Sequence, residues 1–164
     1  MTANNSENQV SDKYLEMSIL TASKEELIIK LYDYLILSAT QAHERFMSNA
    51  ADIEFIHKRL GRAQRAITLL MGSLNFDIGG ELAVNLYRVY GHWHHELVLA
   101  NMQRDPKRVE ALLPDFKEYR ETWVRAIGEF KAEQAHAAED GVRGEGFAAC
   151  LLYTSDAADD LTRV

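Results

Sequence analysis

Ile56, Leu60, Ala63, Ile67, Leu70 and Leu74 follow one another at alternating spacings of four and three residues. That spacing is the seam of a bundle helix; on a strand, residues sharing a face recur every second position. Three further segments carry the same signature. Leu27, Leu31, Leu35, Ser38, Ala42 and Phe46 form one face behind Ser23-Lys24-Glu25-Glu26, a capping box in which Ser23 accepts from a first-turn N–H and Glu26 reaches back to the cap. Leu82, Leu86, Val89, Trp93, Leu97 and Ala100 form a third stripe, expected to begin after Gly79-Gly80. The fourth starts at Asp105-Pro106, a good cap followed by the proline that a first helical turn tolerates, and runs through Val109, Leu112, Phe116, Tyr119, Trp123, Ile127 and Phe130. Pro114 lies inside it, so a kink or a break into two helices is expected there. No segment alternates as a strand does. Long amphipathic helices joined by short connections predict an all-α, antiparallel up-down four-helix bundle.

The chain has 164 residues, enough for one domain that buries its core without disulfides or metal. The expected organisation is a flexible arm over 1–22, the helical bundle over 23–134, a frayed Ala- and Gly-rich tail over 135–149, and a separate segment over 150–164. The stretch Cys150 to Asp160 resembles the in-frame translation of a transposon-based sequencing adapter, and is set apart from the fold as a fusion scar would be. The one cysteine, Cys150, falls within it, so neither a disulfide framework nor a cysteine-based zinc site is expected. The formal charge of −7 repels phosphate backbones, which argues against nucleic-acid binding. No apolar run reaches membrane-spanning length and no basic-then-apolar leader opens the chain, so a cytoplasmic protein without membrane insertion is expected.

The junction between the second and third segments carries a more specific pattern. Ser73-Leu74-Asn75, then Ile78-Gly79-Gly80-Glu81-Leu82-Ala83, Asn85-Leu86-Tyr87 and Tyr90 closely resemble the flagellar secretion chaperone FliS family. Leu31-Tyr32, Ala100-Asn101 and Trp123 fall where that family has their like, and the similarity extends from about Tyr14 to Phe130. Lys24 and Tyr34 depart from it, standing where proline and glycine are common. The resemblance implies a non-enzymatic chaperone that holds the C-terminal segment of flagellin, prevents its early polymerisation and aids its delivery to a component of the export gate. No cofactor is implied, and a homodimer is compatible with it.

Read without the family, the third segment still carries more apolar surface than one seam requires. Val84, Tyr87, Gly91, His94, Val98 and Met102 recur at helical spacing beside the core stripe, with Ala66, Leu69 and Phe76 as a weaker counterpart on and just beyond the second segment. An apolar strip that a bundle does not consume marks a partner groove; a helix buried on two sides would read the same way. The apolar stretch Tyr14 to Leu20 precedes the cap and is expected to cover core edges or, as the resemblance to the family implies, to occupy the groove when no client is bound, with Tyr14 as a half-buried anchor. The expected partner surface is therefore Tyr14, Ile19, Ala66, Leu69, Phe76, Ile78, Leu82, Val84, Tyr87, His94, Val98 and Met102. Lys58, Arg59, Arg62 and Arg65 form a basic face expected to be solvated.

Two rival classes use other residues. Glu54-Phe55-Ile56-His57 and Glu133-Gln134-Ala135-His136 both fit the Glu-x-x-His element of a di-iron bundle enzyme. The first opens a helix and the second falls in the tail, so they are expected not to share a level. His57-Lys58-Arg59-Leu60-Gly61 distantly resembles a histidine phosphotransfer site, with its residues in the wrong order. Of His92, His94, His95 and Glu96, only His92 with His95 or Glu96 can face one ion, and two ligands do not make a zinc site. Neither catalytic nor metal-binding residues are assigned.

Overall fold

The structure, a computed structural model, describes Lys13, Tyr14, Met17 and residues 23–140, of which 137–140 are described by their backbone alone. Its four long helices are α1 (Lys24–Asn49), α2 (Ile53–Gly72), α3 (Phe76–Gln103) and α4 (Pro106–Asp140). Among the described residues there is no strand. Connections of two or three residues leave successive helices no room to do anything but turn back on one another. Around the bundle α1 packs on α2 and α4, and α3 on α2 and α4, so α1 and α3 face each other across the core.

Each helix start is satisfied locally. Ser23 and Glu26 form the expected capping box on α1. Asp52 caps α2 through Phe55 N–H and is also held by Arg45 at 2.8 Å, which ties the end of α1 to the start of α2. Asn75 caps α3, and Asp105 Oδ1 accepts from Lys107 N–H at 3.0 Å at the head of α4. Two features depart from expectation. α3 begins at Phe76, one helical turn before the Gly79-Gly80 pair, and that turn is set off from the rest by a non-helical Gly80 at φ 50°, ψ −127°. α4 is one helix through Pro114, not two. Pro114 lies on the exposed side, where the Glu110 carbonyl it deprives of a donor can turn to water, so the helix survives the loss. α4 also continues to Asp140, through the first six residues of the expected tail; the remainder of that tail and residues 150–164 lie outside the described residues.

The four predicted stripes meet as one core, with Leu31, Leu35, Leu60, Ile67, Leu70, Leu97, Val109 and Phe116 almost fully buried. Trp93 is its hub, its ring edge-to-face with Phe116 at 5.0 Å and Tyr119 at 4.9 Å and tilted on Tyr90 at 5.5 Å. Across the diagonal the Tyr32 and Tyr90 hydroxyls lie 2.9 Å apart, and Trp123 Nε1 donates to the Tyr32 oxygen at 3.2 Å. Three elements thus share one buried polar chain whose members satisfy each other. Burial holds both phenols protonated above their ordinary ionisation range, and at Tyr32 the neighbouring Tyr90 strengthens the effect. Tyr34, a large ring on α1, is also buried against this core.

Candidate functional site

The outward strip of α3 is real surface. Tyr87 is 47% exposed, Val84 36% and Met102 76%, while Leu86, Tyr90, Trp93 and Leu97 of the same helix are buried. At 100° per residue Tyr87 lies about 60° round the helix from Tyr90, so the border between buried and exposed surface runs between these two neighbouring faces. Leu69 of α2 (52% exposed), Phe76 and Ile78 extend the apolar surface toward the α2–α3 junction. Such a set of large apolar groups left in water is what marks an interaction surface.

The other expected partner residues sort differently. Ala66 is 1% exposed and belongs to the core: it sits beside Ala63, Ile67 and Leu70, and its methyl group is too short to reach past them. Leu82, His94 and Val98 are half-buried along the flank of α3, and Leu82 packs against the core. Val98 is therefore a border position rather than an exposed one. Tyr14 is helical and 73% exposed, standing in solvent rather than seated in a slot, and Ile19 lies outside the described residues.

The junction itself has an unforeseen geometry. Phe76 and Tyr87 stack edge-to-face with ring centroids 5.7 Å apart. Eleven residues of unbroken helix would separate their backbones by about 16 Å. The contact accompanies a kink at Gly80, which sets the first turn of α3 out of line with the helix that follows. Nothing in the apolar spacing signals this; the Gly79-Gly80 pair marks a discontinuity but gives no direction to it.

A second apolar recess was not anticipated. About 320 Å³ lies between the start of α1 and the end of α4, with Ile29, Val124, Ile127 and Gly128 forming its apolar part and Glu25, Glu26, Lys30 and Lys131 its charged one. Ile29 lies off the first segment's stripe and Gly128 contributes no side chain, so the periodicity carries no signal of this recess.

The basic face also differs from expectation. Arg59 is buried, with its guanidinium 4.8 Å from the centre of the Phe55 ring, and Arg45 lies 4.4 Å from that ring. The planar cation shields its charge on an aromatic face and rests its stem on the helix surface. Lys58 and Arg65 are exposed and Arg62 is half-buried.

The Glu-x-x-His pairs lie far apart in the bundle. Glu54 and His57 occupy the exposed first turn of α2, where Asn101 Nδ2 of α3 donates to His57 Nδ1 at 2.8 Å. Glu133 and His136 lie on the exposed last turns of α4, at the opposite end. Glu96, beside the histidine cluster, is engaged by Arg108 at 2.7 Å. Among the described residues no three His, Cys, Asp or Glu side chains converge as a metal site would need. No described helix is long and apolar enough to cross a membrane.

Comparison with known proteins agrees with the junction motif. The model of the family described as "Flagellar protein FliS" matches residues 6–129. The chain is 28% identical over 85 residues to the flagellar secretion chaperone FliS of Vibrio cholerae serotype O1, an alignment covering 52% of this chain and 61% of that relative.

Proposed function

From the premise that this chain belongs to the FliS family, we propose that it is a cytoplasmic, non-enzymatic export chaperone for flagellin. Its client is the C-terminal segment of flagellin, which it keeps from polymerising early and helps hand to the export gate. The observation that carries this is the apolar strip of α3 with Leu69, Phe76 and Ile78, displayed on a bundle whose core is already complete without it. A client segment with a matching apolar face buries the strip and becomes helical as it does so. Such coupled folding gives a negative heat-capacity change, with favourable enthalpy offset by ordering. No bond is made or broken.

Titration calorimetry with a flagellin C-terminal peptide tests this. The expected result is saturable one-to-one binding that is weakened at least tenfold by Leu69→Glu or Tyr87→Glu, with the helical content of both variants unchanged. Both positions are exposed, so a new carboxylate is solvated in the free protein and desolvated only by the client. No binding by the parent chain removes the assignment. A second copy of the chain is the competing occupant of the strip, and sedimentation with and without peptide separates the two: a dimer that persists in the peptide complex places the client elsewhere.

A further inference from the structure

We propose that Gly80 is a positioning residue for the client surface, acting through Phe76; this rests on the reading of the α3 strip as the flagellin-binding face. The turn Phe76–Gly79 is closed on itself, with Asn75 accepting from Asp77 and Ile78 through its side chain and from Gly79 N–H at 2.8 Å through its carbonyl. It therefore moves as a unit, and the residue joining it to the rest of α3 sets its direction. At Gly80 the backbone adopts φ 50°, ψ −127°, open to glycine and strongly disfavoured for L-residues. Across this kink Phe76 lies on Tyr87, and the two residues remain 46% and 47% exposed although their rings are stacked. A pair that hid its surface would contribute chiefly to stability. This pair keeps about half of each ring in water, and so forms one aromatic platform at the end of the strip, where Ile78 and Leu69 are exposed as well.

A straight α3 would carry Phe76 away from Tyr87 and divide the surface into two unconnected patches. Gly80 thus determines that an apolar side chain of the client meets two rings at once. Two rigid aromatic groups held in contact before binding lose less freedom on binding than two independent ones. The requirement is conformational rather than steric, because a Cβ built on Gly80 meets nothing within 4 Å. Alanine fits the space and fails only on the dihedral angles, whereas D-alanine favours the mirror-image region and fits both.

The experiment uses the full chain, with ring-proton NMR contacts between Phe76 and Tyr87 as the structural readout and flagellin C-terminal peptide affinity as the functional one. Gly80→Ala is expected to abolish the contact and weaken the peptide about tenfold, as is typical of a lost interface anchor. Phe76→Ala in the parent is expected to weaken it similarly, and in the Gly80→Ala background by less than about twofold, since both changes remove the same platform. D-alanine at position 80, introduced by ligation, restores contact and affinity. Persistence of the ring contact in Gly80→Ala, additive losses in the double variant, or failure of D-alanine to restore the parent values each overturns the proposal. Should Gly80→Ala not fold, the D-alanine protein decides: parent-like contact and affinity support the conformational requirement, and their loss overturns it. If the parent itself binds no peptide, the strip is not the client face and the proposal falls with it; if the parent binds and the cycle is additive, only the role of Gly80 falls.

Discussion

The inner and outer faces of α3 are built from the same kinds of residue and do different work. On the inner face Tyr90, Trp93, Leu97 and Ala100 are buried, and the Tyr90 hydroxyl is answered by Tyr32. On the outer face Tyr87 puts its ring half in water and rests it on Phe76, the first residue of the same helix. Composition does not separate them. The difference lies in whether three other helices close over the face and whether each polar tip finds a protein partner. A tyrosine in the first setting specifies how α1, α3 and α4 meet. In the second it keeps an apolar ring available at little cost, because its hydroxyl stays hydrated.

The comparison breaks most visibly at Trp93. Removing the hub ring by Trp93→Ala leaves a cavity among Tyr32, Tyr90, Phe116 and Tyr119 and costs about 3–5 kcal/mol. Thermal denaturation should show a midpoint lower by on the order of 10 °C in a chain of this size.

Alkaline pH acts on the inner face next. In the unfolded chain tyrosine ionises near pH 10, whereas burial holds Tyr32 and Tyr90 protonated above that. The folded state then binds more protons than the unfolded state, so stability is fully present below about pH 10 and falls as pH rises beyond it. The slope is about 1.4 kcal/mol per pH unit for each of the two phenols. Urea unfolding at pH 9 and pH 11 should show this loss, and a Tyr32→Phe, Tyr90→Phe protein should lose that part of it.

At neutral pH, Tyr90→Phe alone removes one hydroxyl and leaves Tyr32 with Trp123 as its remaining partner. The cost is about 1–2 kcal/mol, read from the urea midpoint. The matching outer change sharpens the contrast. Tyr87→Ala should alter stability by less than about 1 kcal/mol, the worth of one exposed edge-to-face pair, while weakening the flagellin peptide by about tenfold. A Tyr87→Ala protein destabilised as much as Trp93→Ala would show that both faces are core.

Much of the fold was legible because bundle helices are specified by local chemistry. A seam at spacings of three and four, a capping box at Ser23 and Glu26, and the Asp105-Pro106 start all act within a few residues, and the helices follow them. The departures have equally local causes. Pro114 lies where water can answer the orphaned carbonyl, and so does not break α4. Ala66 and Leu69 are three positions apart on α2, and periodicity places them on neighbouring faces without saying which one the bundle covers; the structure buries the first and exposes the second. Charge alone groups Arg59 with a solvated face, whereas Phe55 supplies a surface on which its guanidinium is buried.

What the sequence by itself determined is the all-α bundle, the composition of its core and the family to which the chain belongs, since each follows from spacing, caps and an ordered motif. What only the tertiary structure decided is which apolar residues remain uncovered and which come together. Tyr32, Tyr90 and Trp123 meet across three helices, and Phe76 reaches Tyr87 across a kink at one glycine. Periodicity fixes the angle at which a side chain leaves its own helix. Burial depends on what lies opposite, and a kink such as that at Gly80 depends on the sign of a dihedral angle that the spacing of side chains does not encode.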